Sequence, residues 1–131
     1  MMKFALCVLF CALTFHGTSQ DLSSLVDQVD SSVFKIITYN DWGFPNGSGT
    51  GFYTSGDGKA MTNWHVLEES AYAFVLEIDG SLLPIQHVLG GCEECDLVEF
   101  QVGLPDEADR TPLEFATDPV RKGQELFIVG C

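Results

Sequence analysis

Apolar residues in this chain recur mostly at alternate positions in short runs, separated by clusters of Gly, Asp, Asn and Pro. That is the pattern of strands joined by turns. Val33 to Tyr39 is a β-branched, mostly apolar run that stops at Asn40 and Asp41, and Trp42 to Gly47 reads as a turn. Gly47 to Thr54 leads into a second strand, Ser55-Gly56-Asp57-Gly58 is a hairpin signal, and Lys59 to Thr62 begins the return strand. Further strands are predicted over Tyr72 to Ile78, Leu82 to Leu89, Asp96 to Val102 and Glu125 to Val129. The turns between them fall at Asp79-Gly80, Gly90-Gly91, Pro105 to Arg110 and Lys122-Gly123. Helical spacing occurs in one short stretch, Asp21 to Val29, where Leu22, Leu25, Val26 and Val29 share a face and Ser24 precedes Asp27 in a capping-box pattern. Strands this short, this regularly spaced and this poor in helix predict an all-β fold, a small antiparallel barrel or sandwich. Its predicted core is Phe34, Ile36, Phe52, Phe74, Leu76, Phe100, Phe115, Phe127 and Val129.

Composition narrows the choice of partners. The 131 residues are 46% apolar, enough for one packed domain, and carry 6 basic against 19 acidic side chains, a formal charge of -13. Such a surface repels phosphate backbones and anionic lipid heads, so nucleic-acid and membrane-surface partners are excluded as expectations. The acidic stretches Glu93 to Glu99 and Asp106 to Asp109 read as solvated loop faces.

Residues 1–19 have the make-up of a secretory signal peptide. Lys3 supplies a basic start, Phe4 to Phe15 an apolar run, and Gly17 and Ser19 the small residues before cleavage at Gln20. A membrane anchor needs about 20 apolar residues, and His16, Thr18 and Gln20 interrupt this run. The expectation is therefore a secreted, extracellular protein whose mature part, residues 20–131, keeps the cysteines Cys92, Cys95 and Cys131. Three thiols cannot all pair within one chain, so Cys131 is expected to have a disulfide partner outside it. Cys92-Glu93-Glu94-Cys95 fits three chemistries: a local disulfide, half of a zinc site, or a redox dithiol. The disulfide is favoured. Zinc needs four ligands and the remaining candidates, His65, His87 and Cys131, are scattered; a dithiol of the thioredoxin type belongs before a helix in a βαβ unit.

Gly47-Ser48-Gly49-Thr50-Gly51-Phe52 is not a phosphate cradle, because a strand rather than a helix follows it. Glycines alternating at the start of a strand let two backbones approach closely, or let the sheet bend sharply at a barrel corner. Met61 to Leu67 places His65 where a strand gives way to a turn, so that an imidazole can be held by the sheet and still face a cleft. Asp96, a polar residue opening an apolar strand, is the candidate carboxylate to orient it. His87, within a strand pattern, reads as a barrel-surface or packed histidine.

Five segments, in order, carry a family resemblance: Gly47 to Phe52, Ser55 to Gly58, Thr62-Asn63-Trp64-His65-Val66, Asp96-Leu97-Val98, and Gly123 to Gly130. Over roughly residues 22–131 the chain resembles the amino-terminal barrel of trypsin-like serine proteases of the HtrA type. The resemblance implies an antiparallel six-stranded barrel followed by the start of a second, with the active site in the cleft between them. It implies that His65 is the general base and Asp96 its orienting carboxylate, that protein or peptide is the substrate, and that no cofactor is required.

The chain departs from that pattern in one respect. The family's Gly-Asn-Ser-Gly-Gly or Gly-Asp-Ser-Gly-Gly turn is missing between Asp96 and Cys131, and no serine follows Ser81. Ser48 belongs to the glycine run, Ser70 follows the histidine turn, and Cys131 comes too early to serve as nucleophile. The expectation is a chain truncated before its second barrel and inactive alone. The competing expectation is a noncatalytic secreted binding or decoy protein built on one barrel.

Overall fold

The structure, a computed structural model, describes residues 22–131; the predicted signal peptide lies outside them. Helix α1 (Leu22–Val29) and a single 3-10 turn (Asp30–Ser32) lead into strands β1 (Val33–Tyr39), β2 (Pro45–Tyr53) and β3 (Lys59–Thr62). The short helix α2 (Trp64–Leu67) follows, then β4 (Tyr72–Leu76), β5 (Leu82–Cys92) and β6 (Leu97–Val102). The six strands close into an antiparallel barrel in the order β1-β2-β3-β6-β5-β4, which is the predicted fold class with its short amino-terminal helix. Closure gives each strand a neighbour on both sides, although β2 meets β3 only at Phe52 and Tyr53 and β5 meets β4 only from Leu82 to Pro84.

Alternation decides what fills the barrel. Phe34 and Ile36 of β1, Ala73 and Val75 of β4, and Val98, Phe100 and Val102 of β6 stand at positions two apart and are buried. Phe34 and Phe100 meet edge to face, and Phe34 also packs against Tyr53. The predicted core was correct for Phe34, Ile36 and Phe100. Phe52, Phe74 and Leu76 are only half-buried, because each occupies the opposite parity to the inward residues Tyr53, Ala73 and Val75. Tyr53 takes the inside position because its hydroxyl has a partner there, donating to Oε1 of Glu77 at 2.8 Å.

Arg110 completes this group with two bonds to Glu77, Nε to Oε1 at 2.7 Å and Nη2 to Oε2 at 2.8 Å. Burial first, and the Glu77 carboxylate second, push the Tyr53 hydroxyl far above its ordinary value. The same network ties the chain after β6 back to the barrel, with Arg110 N–H on the Gly56 carbonyl and Leu113 N–H on that of Tyr53.

Several predicted boundaries move. Ser24 lies within helix α1 rather than at an N-cap. The turn after β1 is shorter than Trp42 to Gly47, since the Asn40 side chain accepts the N–H groups of Trp42 and Phe44 at 3.0 Å each and β2 starts at Pro45. Gly90 and Gly91 lie in β5, paired with Glu99 and Val98, and the hairpin turns later, over Glu93 to Asp96. Strand β4 ends at Leu76, short of Ile78.

Glu125 to Val129 is not a strand. The barrel closes with six other strands, and this run joins none of their ladders among the described residues. It lies on the surface, with Ile128 99% and Phe127 53% exposed, and Phe115 is exposed as well, which removes the last two from the predicted core; Val129 is half-buried. The segment is held at Cys131, whose N–H donates to Oγ1 of Thr50 at 3.0 Å.

Candidate active site

Helix α2 crosses one end of the barrel, and two glycines seat it there. A Cβ on Gly49 of β2 would lie 2.6 Å from Cγ2 of Val66, and one on Gly91 of β5 would lie 2.7 Å from the Trp64 ring. Both distances are shorter than real Cβ contacts, so these strands can hold Val66 and Trp64 this closely only without a side chain. Val66 and Leu67 pack on the barrel core beneath. His65, between the two seated residues, is left at the surface with its side chain 63% exposed. Gly49→Ala and Gly91→Ala are each expected to destabilise the protein by about 1 to 3 kcal/mol through overpacking, read as a lower midpoint in urea unfolding.

Asp96 reaches the same end of the barrel from the β5–β6 turn, which the Cys92–Cys95 disulfide closes. It precedes β6 rather than opening it, and it holds a left-handed backbone angle (φ 52°) that aspartate tolerates better than most residues. Every polar group of Asp96 is engaged. Its N–H donates to the Glu93 carbonyl and its carbonyl accepts Nδ2 of Asn63, both at 3.0 Å. Oδ1 accepts the His65 backbone N–H at 3.0 Å, and Oδ2 lies 2.8 Å from Nδ1 of His65. Residues 31 positions apart in the chain are thus in direct contact.

Chemistry follows from the acceptor. An ionised carboxylate can only accept, so Nδ1 of His65 carries the proton and the neutral ring leaves its lone pair on Nε2. That is the tautomer a general base needs.

The backbone N–H of His65, and after it the imidazole, hold the Asp96 carboxyl below the ordinary carboxylate range. A carboxyl lowered in the folded state stabilises the fold above its unfolded value, and that contribution disappears as pH falls through the lowered folded value. His65→Ala removes the imidazole but keeps the backbone donor. The Asp96 carboxyl in that variant is expected to rise part of the way toward the ordinary range, measured by carboxyl carbon titration in NMR, and an unchanged value would show that the imidazole does not sense the charge.

His65 and Asp96 are therefore brought together, and Cys92 and Cys95 are joined as the disulfide favoured from sequence. The bond occupies both sulfurs, so neither the zinc nor the dithiol reading describes this state. His87 is exposed on β5, opposite Gln101 of β6, and Cys131 is an exposed free thiol. Ser70 donates to the Leu67 carbonyl at 2.7 Å and is not a partner of His65. Sequence reasoning assigned no role to Asn63; it read Gly49 only as one of a run of structural glycines and Gly91 as part of a turn, and neither as a seat for a helix. The signal for Asn63 was an amide side chain standing between a strand end and a helix start, within reach of either.

No family model matches the sequence, and no curated protein matches it with significance.

Proposed function

We propose that this chain supplies the histidine and carboxylate of a serine-type endopeptidase of the trypsin-like, HtrA type. The reading rests above all on one observation: Asp96 grips both the backbone N–H and Nδ1 of His65, at 3.0 and 2.8 Å, which orients the ring and presents Nε2 outward. His65 acts as general base toward a serine hydroxyl and then as acid toward the leaving amine, while Asp96 stabilises the imidazolium between those steps. The substrate class is protein or peptide. Among the described residues no hydroxyl is hydrogen bonded to His65, so in this reading the nucleophile is brought to Nε2 by another segment, and residues 20–131 alone do not hydrolyse peptides. The Cys92–Cys95 disulfide supports placement in an oxidising, extracellular setting.

The test is labelling by a fluorophosphonate of the protein produced from its complete reading frame. Wild type is expected to acquire one adduct, on serine, and His65→Ala to label about a thousandfold more slowly or not at all. Absence of any adduct, or labelling indifferent to His65, favours instead a noncatalytic secreted binding or decoy protein on one barrel.

A further inference from the structure

The turn that delivers Asp96 is a covalent ring. Cys92 ends β5, Cys95 stands directly before Asp96, and their Cα atoms are held 5.2 Å apart by the disulfide. An aspartate side chain has only two rotatable bonds, so where its carboxylate lands depends closely on its own backbone angles. Here those angles are left-handed and come at the end of the ring, with the Asp96 N–H bonded back to Glu93 inside it. The disulfide is also accessible. Cys95 is exposed, Cys92 is half-exposed, and neither belongs to the cluster that fills the barrel. Opening the ring would therefore relax the turn while the β5–β6 ladder, from Ile85–Val102 to Cys92–Leu97, persists on its own hydrogen bonds.

We propose that the Cys92–Cys95 disulfide is a reductively operated switch on the His65–Asp96 pair, closed ring holding the carboxylate on the imidazole and open ring releasing it. Its meaning as regulation rests on the peptidase reading above; the coupling of ring to pair does not.

The reductant is a dithiol. Its thiolate attacks Sγ of the exposed Cys95, the S–S bond breaks, and Cys92 departs as a thiolate. The N–H of Cys95, 3.2 Å from the Cys92 sulfur, is placed to stabilise that leaving group. The second thiol of the reductant then attacks the mixed disulfide and releases Cys95. Two electrons and two protons pass to the protein, and the reductant leaves as its own disulfide. Glu93 and Glu94 inside the ring, on a chain of net charge -13, repel anionic thiols, so the dithiol that serves best is neutral or presented by a basic surface.

The experiment compares the isotope-labelled full chain in oxidised form, after dithiothreitol, and after reoxidation, with a Cys92→Ser/Cys95→Ser variant beside them. Three readouts are taken by NMR: exchange of the His65 Nδ1 proton, titration of the Asp96 carboxyl, and amide exchange at the core residues Ile36, Val75 and Phe100. Opening the ring is expected to speed exchange of the Nδ1 proton about tenfold or more and to move the Asp96 carboxyl toward the ordinary range, with core amides unchanged. Reoxidation restores the pair, and the double variant behaves as the reduced protein. The proposal is overturned if the pair stays intact in both open forms, or if core protection is lost together with it, which would make the ring a general staple. None of these readouts needs catalysis, so a chain that never labels with phosphonate can still pass or fail this test.

Discussion

Asp96→Asn is expected to lower kcat for peptide hydrolysis about 10^4-fold with little change in KM, in the catalytically complete protein of the proposed function. The loss comes from the tautomer. Asparagine can still accept the His65 backbone N–H through its carbonyl oxygen, so the turn and α2 are kept, but its amide nitrogen is a donor where the carboxylate could only accept. Facing Nδ1, that donor favours the ring with its proton on Nε2, where the base must be free. The imidazolium formed during acylation also loses its counter-charge. Kinetics on wild type, Asp96→Asn and Asp96→Glu would measure this, with near-ultraviolet circular dichroism to confirm the fold. A loss below about tenfold for the asparagine variant would reduce Asp96 to a structural cap on α2 and remove the carrying observation of the proposed function.

The second large effect concerns stability. Glu77→Ala is expected to destabilise the barrel by about 2 to 4 kcal/mol, because it leaves the buried Tyr53 hydroxyl without its acceptor and the half-buried Arg110 guanidinium without its counter-charge. The Glu77 side chain is 11% exposed and that of Arg110 22%, so solvent replaces little of what is lost. Tyr53, fully buried, would keep its hydroxyl inside the barrel with no acceptor, and Arg110 would lose its side-chain anchor to the residue that follows β4, leaving only the backbone ties to Gly56 and Tyr53. For a domain of this size the loss corresponds to a fall in Tm of roughly 10 to 25 °C. Glu77→Gln retains an acceptor for Tyr53 and should lose distinctly less. If Glu77→Ala unfolds at the wild-type temperature, the network is ornamental, and the core alone holds the segment after β6.

Strand content was legible because alternation is a local property. Val33 to Tyr39 and Lys59 to Thr62 carry their period in their own residues, and both strands formed where that period placed them. Candidate chemistry was legible for a similar reason, since His65 and Asp96 are polar residues at the ends of apolar runs. Errors arose where a residue's state depends on something far along the chain. Phe52 and Phe74 were assigned to the core on hydrophobicity, while parity with Tyr53 and Val75 turned them outward, and the acceptor that lets Tyr53 be buried is Glu77, 24 positions away. Glu125 to Val129 has the composition of a strand and became none, because a strand forms only where its backbone joins a ladder, and the six strands that close the barrel do not include it.

What the sequence determined by itself is thus the kind of element each stretch forms and the side chains able to carry chemistry, through periodicity, turn residues and the titratable groups set among them. Only the tertiary structure decided which face of each strand points inward, that Gly49 and Gly91 seat α2, and that a left-handed Asp96 meets His65 at hydrogen-bond distance. Those outcomes depend on closing a six-stranded barrel, which joins residues distant in the chain, and contact between distant residues leaves no period in the sequence to read.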